Sequence, residues 1–262
     1  MPGAGWLGHR RIELIECDST NDEAARLARA GASHGTVVIA ASQRAGRGRD
    51  GRVWASPPGL GLYLSAVVRP PLPLALVPPM TLAIGVGVCE TALAAGADAR
   101  LKWPNDVLVS GRKLAGVLVE AQSQGGRLDA VIVGIGINLG GELPPEVEGR
   151  AITLEGAGAV ISREQFVGSL LGRVETWTDR YVASGLPQVI AAWTARMQHG
   201  MLVRAVMAGA PLEGEVAGLD AEGALLLRDA AGRVHRIRSG DVDVIRVILR
   251  APAAEESAAP PC

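Results

Sequence analysis

The chain has 262 residues, a length that suits one large domain with a smaller companion. Hydrophobic residues make up 48% and charged residues 20%, and the formal net charge is -1, so composition excludes a general electrostatic attraction to nucleic acid or anionic membranes. Three widely spaced cysteines favour reduced thiols over a disulfide framework, and neither they nor the four isolated histidines have the spacing of a zinc site. The cysteines therefore predict a cytoplasmic protein.

The first predicted elements are a strand and a helix. Ile12 and Leu14 alternate with polar residues, which predicts a strand over residues 12–17. A helix is expected to begin at Thr20, because Thr20 and Glu23 have the spacing of a capping box. Helix capping alone would therefore account for the hydroxyl residues at this point.

A loop rich in glycine and arginine follows a strand predicted over residues 36–41. It reads Gly46-Arg47-Gly48-Arg49-Asp50-Gly51-Arg52, with Trp54 close behind. With Arg44 included, four arginines against one aspartate give a local charge of +3. Glycine lets backbone N–H groups approach an anion, and guanidinium groups match carboxylate or phosphate oxygens. The pattern predicts an anion-binding loop, with a solvated turn as the alternative.

A long uncharged stretch follows the next strand, which is predicted over residues 61–68. Twenty uncharged residues between Arg69 and Glu90 raise the question of a membrane span. Five prolines in the first part of this stretch leave a helix only over about residues 80–95. The sequence therefore predicts a buried helix and no membrane partner.

A hairpin with charged side chains at its mouth is predicted over residues 101–120. A polar corner, a short apolar strand, a Ser-Gly turn and a longer apolar strand follow one another. Lys113 opens the second strand, and Asn105 and Asp106 precede the first. The hairpin is expected to present an ammonium, an amide and a carboxylate together.

The rest of the chain predicts one more long strand, two helices and a small β-domain. A strand over 128–138 completes a meander, and Ser162 and Gln165 form a capping box at the start of the first helix. The second helix is expected from Pro187 to about residue 198. Beyond residue 200 the chain has short strand-like runs divided by turn residues, and residues 250–262, rich in Ala, Pro and Glu, are expected to be disordered.

Several motifs in this order resemble the catalytic part of biotin protein ligases. The arginine-rich loop with Trp54 is similar to that family's nucleotide-ordering loop. Further matches are Lys102-Trp103-Pro104-Asn105-Asp106, Arg112-Lys113-Leu114-Ala115-Gly116, Ser19-Thr20-Asn21, Gln43 and Gly134-Ile135-Gly136-Ile137-Asn138. The resemblance extends to about residue 249.

The resemblance implies an α+β fold with a mixed, mostly antiparallel sheet, like the catalytic fold shared with class II aminoacyl-tRNA synthetases. It implies a catalytic domain over 1–199 and an SH3-like β-barrel over 200–249. Family members that double as repressors carry an added N-terminal winged helix-turn-helix. Because at most eleven residues precede the first predicted strand, we expect no DNA binding.

The activity implied is formation of biotinyl-5'-AMP from biotin and ATP, with Mg²⁺, followed by transfer to a lysine of a biotin carboxyl carrier protein domain. No tightly bound cofactor is expected, and the enzyme is expected to be a monomer or weak homodimer. The catalytic residues would be Arg49, Lys113 and Asp106. The biotin-binding residues would be Ser19, Thr20, Asn21, Gln43, Arg47, Gly48, Arg49, Lys113 and Gly116, and the nucleotide-binding residues Arg49, Arg52, Trp54, Asn105 and Asn138.

Some roles stay open at this stage. Asp106 could assist the metal of Mg-ATP or accept a proton from the incoming lysine. Trp54 could cover the adenine or the valeryl chain, or simply anchor the loop. Gly116 could admit the bicyclic ring of biotin or mark a β-bulge.

Two other functions compete with this prediction. A lipoate ligase shares the adenylate chemistry, but lipoate has no ureido group to pair with Ser19, Thr20 and Gln43. An Arg-Gly RNA-binding protein needs cationic excess and stacking aromatic residues, whereas only 3% of these residues are aromatic.

Overall fold

The structure is a computed structural model that describes residues 5–198, 200–207, 210–238, 240 and 242–247. The chain divides into two units, one of residues 1–197 with 219–223 and the other of 198–218 with 224–262. The tail predicted to be disordered, residues 250–262, lies outside the described residues.

Within the described residues, the larger unit has seven strands and four helices. Short 3-10 turns lie at Arg49–Gly51, Leu74–Leu76 and Pro145–Val147. The elements are β1 (Arg10–Cys17), α1 (Thr20–Arg29), β2 (Thr36–Gln43), β3 (Gly61–Val68), α2 (Met80–Ala94), β4 (Ala99–Lys102), β5 (Asp106–Val109), β6 (Arg112–Gln124), β7 (Arg127–Asn138), α3 (Arg163–Ser184) and α4 (Pro187–Arg196).

The seven strands form one mixed sheet in the order β1-β2-β3-β7-β6-β5-β4. Only β1 and β2 are parallel, and every other neighbouring pair is antiparallel. The prediction of a mixed, mostly antiparallel sheet with helices is confirmed. The sheet brings the ends of β2, β5, β6 and β7 near the loops that the sequence singles out.

Two glycine-containing turns set the register of the meander. Ser110 and Gly111 have φ angles of 50° and 74°, and Gly125 and Gly126 have 59° and 78°. Positive φ at both central residues produces the twist that joins antiparallel strands through two residues. The predicted Ser-Gly turn is confirmed, and a second turn of the same kind joins β6 to β7.

Helices cover both faces of the sheet. On one face Ala24 and Ala28 of α1 pack against Val38, Val67 and Ile132. Side chains alternate between the two faces along a strand. On the other face, the alternate residues of β3 and β7 line a small cavity together with α2 and α3, among them Leu64, Ala66, Val133 and Ile135. The side chain of Ser65 therefore lies on the α1 face, and Gly134 and Gly136 leave bare backbone on that face.

The apolar helix predicted from the proline-broken stretch is α2. Eleven of its residues are buried, from Met80 to Ala92. By length and composition Leu74–Ala94 would suffice to cross a membrane, yet 61% of its most apolar window is buried inside the protein. A helix that is apolar on all sides belongs in such a core.

The described part of the smaller unit forms an antiparallel five-stranded sheet. Its strands are β8 (Met201–Met207), β9 (Ala210–Leu219), β10 (Leu225–Arg228), β11 (Val234–Ile237) and β12 (Val242–Val247), in the order β11-β10-β9-β8-β12. Within the residues that the structure describes, no pairing of β11 with β12 closes a barrel.

The helix-capping predictions have different outcomes. Ser162 and Gln165 form the predicted capping box of α3. The box predicted at Thr20 is wrong, because Ser19 is the N-cap of α1 and its side chain makes no capping hydrogen bond. Thr20 is already inside the helix, and its hydroxyl is used elsewhere.

Candidate active site

The arginine-rich loop is a tight backbone hairpin on the α1 side of the sheet. Gly48 N–H donates to the carbonyl of Arg52 at 2.7 Å, and Trp54 N–H donates to the carbonyl of Gly46 at 2.9 Å. Asp50 turns the chain with a φ of 53°. Because a Cβ on Gly46 would lie 2.4 Å from the carbonyl oxygen of Trp54, the hairpin closes only with glycine there.

Arg49 and Arg52 belong to the turn at the tip of this loop. Arg49 begins the 3-10 turn and is half-buried, whereas Arg52 follows the turn and is exposed. The N–H of Arg52 donates to the carbonyl of Arg49 at 3.0 Å. The side chains of Arg49 and Arg52 therefore project from the same backbone turn.

Trp54 lies on bare backbone. Gly116 of β6 and Gly136 of β7 are direct partners across the sheet, and we call this pair the glycine floor. A Cβ on Gly136 would lie 2.6 Å from the indole, and one on Gly116 would lie 3.1 Å from it. Lys113 Nζ lies 5.2 Å from the ring centroid, within cation–π range.

Polar side chains at the start of α1 form hydrogen bonds with the end of β2 and with the middle of β3. The N–H and hydroxyl of Thr20 donate to Gln43 Oε1 at 2.8 and 3.1 Å. Ser65 Oγ lies 2.8 Å from Thr20 Oγ1 and 2.6 Å from Asn21 Oδ1. Gln43 Nε2 donates to Ser56 Oγ at 2.8 Å. This network links the start of α1 to the end of β2 and to the middle of β3.

Arg47 is held by carboxylates of the protein. It donates to Glu120 through Nη1 at 3.0 Å and Nη2 at 3.1 Å, and to Asp22 through Nη2 at 2.7 Å. Glu120 Oε2 also accepts from Asn21 Nδ2 at 2.6 Å. The loop is thereby tied to α1 and to β6.

Lys113 and Asp106 meet at the mouth of the hairpin, as predicted. Lys113 Nζ lies 2.6 Å from Asp106 Oδ1, and Lys102 Nζ lies 3.4 Å from Oδ2. The Asp106 side chain is 13% exposed, so water screens these pairs less than it screens surface pairs. Asp106 is the Cα partner of Gly116, which places the ion pair beside the glycine floor.

Asn105 and Asn138 both use their side-chain amides on backbone carbonyls. Asn105 Nδ2 donates to Val117 at 2.8 Å. Asn138 Nδ2 lies 3.3 Å from the carbonyls of both Lys113 and Ile152. Each asparagine therefore holds a segment that borders the site.

The alternative interpretation of Gly116 as a β-bulge is answered by the strand register. The register between β5 and β6 shifts where Val107 pairs with Ala115 and Leu108 pairs with Lys113. The bulge therefore falls at Leu114, and Gly116 itself is regularly paired.

A buried thiol lies at the edge of this region. Cys17 is the Cα partner of Gln43. Burial, helped by the carboxylates of Glu23 and Asp18, raises the pKa of Cys17 to about 11. A thiol of that pKa stays protonated near neutral pH, so Cys17 does not supply a thiolate nucleophile.

The structure brings most of the predicted residues together and adds three. Contacts join Thr20, Asn21, Gln43 and Arg47 into one network, and Trp54, Gly116, Lys113 and Asp106 into another. Sequence reasoning missed Asp22, Ser65 and Glu120. The available signal was a polar residue inside an otherwise apolar strand, as Ser65 is in Gly61–Val68 and Glu120 is after Val117-Leu118-Val119.

The described part of the chain contains no site at which protein side chains alone would bind a metal ion. No group of three or more His, Cys, Asp or Glu side chains there is arranged to hold an ion. Asp106 pairs with two ammonium groups instead.

Family models match both units. Residues 14–138 match the Biotin/lipoate A/B protein ligase family, and residues 200–244 match the Biotin protein ligase C terminal domain.

Individual proteins are similar over most of the chain. The Bifunctional ligase/repressor BirA of Bacillus spizizenii is 35% identical over 91% of this chain and 75% of its own length. The Biotin--[acetyl-CoA-carboxylase] ligase of Paracoccus denitrificans is 37% identical over 84% of this chain and 95% of its own. The solved biotin protein ligase from Aquifex aeolicus in complex with biotin and ATP is 32% identical, with a TM-score of 0.77 over 91% of this chain and 99% of that one.

Proposed function

Because this chain belongs to the biotin protein ligase family, we propose that the site on the α1 face carries out both half-reactions of an ATP-dependent biotin ligase. In the first, a biotin carboxylate oxygen attacks the α-phosphorus of ATP, and pyrophosphate leaves as biotinyl-5'-AMP forms. In the second, a lysine amine of a biotin carboxyl carrier protein domain attacks the acyl carbon. AMP leaves, and the amine loses a proton as the amide forms.

The observation that carries the assignment is the placement of three different chemistries on one sheet face. The Thr20–Gln43 network supplies directional hydrogen bonds, the glycine floor supplies a flat surface under Trp54, and Lys113 supplies a cation beside that surface. These three features match a substrate that has a polar ring and an acidic chain.

Electrostatics sets the main barrier of the first half-reaction. A carboxylate and a phosphate about 4 Å apart repel by roughly 4 kcal/mol at an effective dielectric constant near 20. Cationic donors at the meeting point therefore contribute most to the rate. We assign that role to Arg49 and Lys113, with Arg49 on the phosphate and Lys113 between the reacting oxygens.

The biotin site comprises the start of α1, the end of β2 and the loop. Ser19, Thr20, Asn21 and Gln43 would bind the ureido group. Gly116 would let the bicyclic ring approach backbone once the Trp54 indole, which lies against Gly116, moves aside. Arg47 and Gly48, with Arg49 and Lys113, complete the proposed biotin-binding set. Trp54 Nε1 is buried with no hydrogen-bond acceptor within the described residues, which supports a substrate acceptor near it.

The nucleotide site is proposed at Arg49, Arg52, Trp54, Asn105 and Asn138. The amide nitrogens of both asparagines already bind backbone, so their Oδ1 atoms remain as acceptors for an adenine amino group. ATP would enter as its Mg²⁺ complex. For Asp106 the 2.6 Å ion pair supports an orienting role toward Lys113, besides contact with that metal or acceptance of the lysine proton.

Organisation, location and partners complete the proposal. We propose a catalytic domain over 1–199, an SH3-like domain over 200–249, and a cytoplasmic enzyme whose partner is the carrier domain. The net charge of -1 supports the absence of a DNA ligand. β1 and β4 are the edges of the larger sheet, which agrees with a monomer or a weak homodimer.

The test is ATP–pyrophosphate exchange with biotin, followed by label transfer to a biotin carboxyl carrier domain. Arg49→Ala and Lys113→Ala should abolish exchange while the circular dichroism spectrum stays unchanged. Near-normal exchange in either variant would refute the cation assignment. Calorimetry with biotin and then lipoate separates the two acyl donors, since only biotin offers a ureido group to Thr20 and Gln43.

A further inference from the structure

Glu120 connects two parts of the site that are far apart in sequence. Its Oε1 and Oε2 accept from Arg47 at 3.0 and 3.1 Å, and Oε2 also accepts from Asn21 Nδ2 at 2.6 Å. A carboxylate with two oxygens can accept all three bonds at once. One side chain of β6 therefore fixes both the loop and the start of α1.

The charges around Arg47 limit what it can do for a substrate. Its guanidinium is shared by Glu120 and by Asp22, whose Oδ1 lies 2.7 Å from Nη2. Two carboxylates against one guanidinium leave a formal charge of -1 in this cluster. Such a cluster would not attract the biotin carboxylate, so Arg47 contributes to the proposed biotin site by holding the loop in place and not by pairing with that carboxylate.

We propose that Glu120 is a positioning residue of the ligase, which acts through Arg47 and Asn21 to hold the arginine-rich loop over the biotin site. This inference rests on the proposed function of that site. Asp22 assists from α1 by holding the outer side of the same guanidinium. Neither carboxylate touches the reacting atoms in this assignment.

The geometry predicts a specific kinetic signature. When Glu120 is replaced by Gln, one oxygen becomes an amide donor that faces the donors of Arg47 and Asn21. The loop loses its charged anchor, and because hydrogen bonds to charged groups are among the stronger ones, KM for biotin should rise roughly tenfold. The KM for ATP should change much less, since Glu120 contacts the start of α1, which belongs to the proposed biotin site.

A second readout does not depend on catalysis. Trypsin cleaves after arginine, and the loop offers Arg44, Arg47, Arg49 and Arg52. Loosening of the anchor should accelerate cleavage in this segment of Glu120→Gln, again roughly tenfold. High salt should accelerate cleavage of the wild type more than of the variant, because the Arg47 side chain is 42% exposed and its ion pairs are screened.

Glu23→Gln is the matched control. Glu23 lies next to Asp22 on α1 and pairs with Arg26 at 2.9 Å. Its loss should leave both readouts unchanged. If Glu120→Gln fails to fold, Asp22→Asn takes its place, with a smaller shift in the same directions.

The coupling between Glu120 and Arg47 gives the last check. In a double-mutant cycle, Arg47→Met with Glu120→Gln should raise the biotin KM no further than the worse single variant. Additive effects, an unchanged biotin KM or an unchanged trypsin rate would each overturn the inference. Absence of pyrophosphate exchange in the wild type would instead refute the proposed function, and trypsin cleavage alone would then decide whether Glu120 anchors the loop.

Discussion

Lys113 Nζ lies 2.6 Å from Asp106 Oδ1 and 5.2 Å from the centroid of the Trp54 ring. The ammonium is therefore held between a carboxylate and an aromatic face, at the border of the glycine floor. A flexible four-carbon side chain loses its freedom in this arrangement before any substrate arrives. The proposed cation of the first half-reaction is thus positioned in advance.

Asp106→Asn should lower adenylate formation by about a hundredfold, because Lys113 loses the charge that orients it. Transfer from preformed biotinyl-5'-AMP to the carrier should fall much less. Single-turnover measurements of the two half-reactions check this. Asp98→Asn is the control, since Asp98 pairs with half-buried Arg100 and is itself 76% exposed. An equal loss in both half-reactions would support a proton-accepting role for Asp106 instead.

Gly136→Ala should displace Trp54 and weaken biotin binding at least tenfold, as the added methyl group would lie 2.6 Å from the indole. Overpacking of this kind should also cost about 1–3 kcal/mol of unfolding free energy. Calorimetry and chemical denaturation measure the two effects. Gly168→Ala on the exposed face of α3 is the control, and it should stabilise the protein by roughly 0.5–1 kcal/mol. Wild-type biotin affinity in Gly136→Ala would contradict the proposed contact.

Ser65→Ala should reduce biotin affinity, although Ser65 is not itself one of the proposed biotin contacts. Ser65 is fully buried, and its hydroxyl lies within hydrogen-bond distance of Thr20 and Asn21. Loss of one partner in a buried network costs about 1–3 kcal/mol. Ser42→Ala, which removes only a 3.3 Å bond to the carbonyl of Ile15, provides the comparison. Equal biotin binding by both variants would show that the network does not orient Thr20.

The stability of the larger unit should fall as pH drops below about 6.5, because of His34. Its Nδ1 accepts from the N–H of Arg69 at 2.9 Å, and its ring lies 4.0 Å from that of Trp6. Burial lowers the pKa of His34 below its ordinary 6.5, so the folded state resists a proton that the unfolded chain accepts. The contribution is complete above pH 6.5 and is lost as pH falls through the folded pKa.

Urea denaturation at several pH values between 8 and 5 checks the His34 prediction. His34→Gln should flatten the loss of unfolding free energy over this range. A curve that keeps the same slope in the variant would assign the pH dependence to another group.

Local sequence signals predicted much of the fold. The strand predicted over residues 61–68 has the bounds that the structure shows. The turn at Ser110-Gly111 is predictable because two-residue hairpins need positive φ, which glycine adopts readily. Such features depend on residues close together in the chain.

Features that depend on distant residues were not predictable. The parallel pairing of β1 with β2 and the insertion of β7 beside β3 are decided by packing across the sheet. The polar residues that orient the site were missed for the same reason. Ser65 and Glu120 have no motif of their own, and their roles follow only when folding places them beside Asn21.

The glycine floor limits how this enzyme could be engineered. A surface without side chains cannot be made deeper by shortening a residue. Room for a carboxylic acid substrate larger than biotin must therefore come from the side chain that lies against this surface. Trp54 is the residue that offers it, because the indole is the large group that lies against that surface. Exchange of this tryptophan for a smaller apolar residue is thus the direct route to an altered acyl preference.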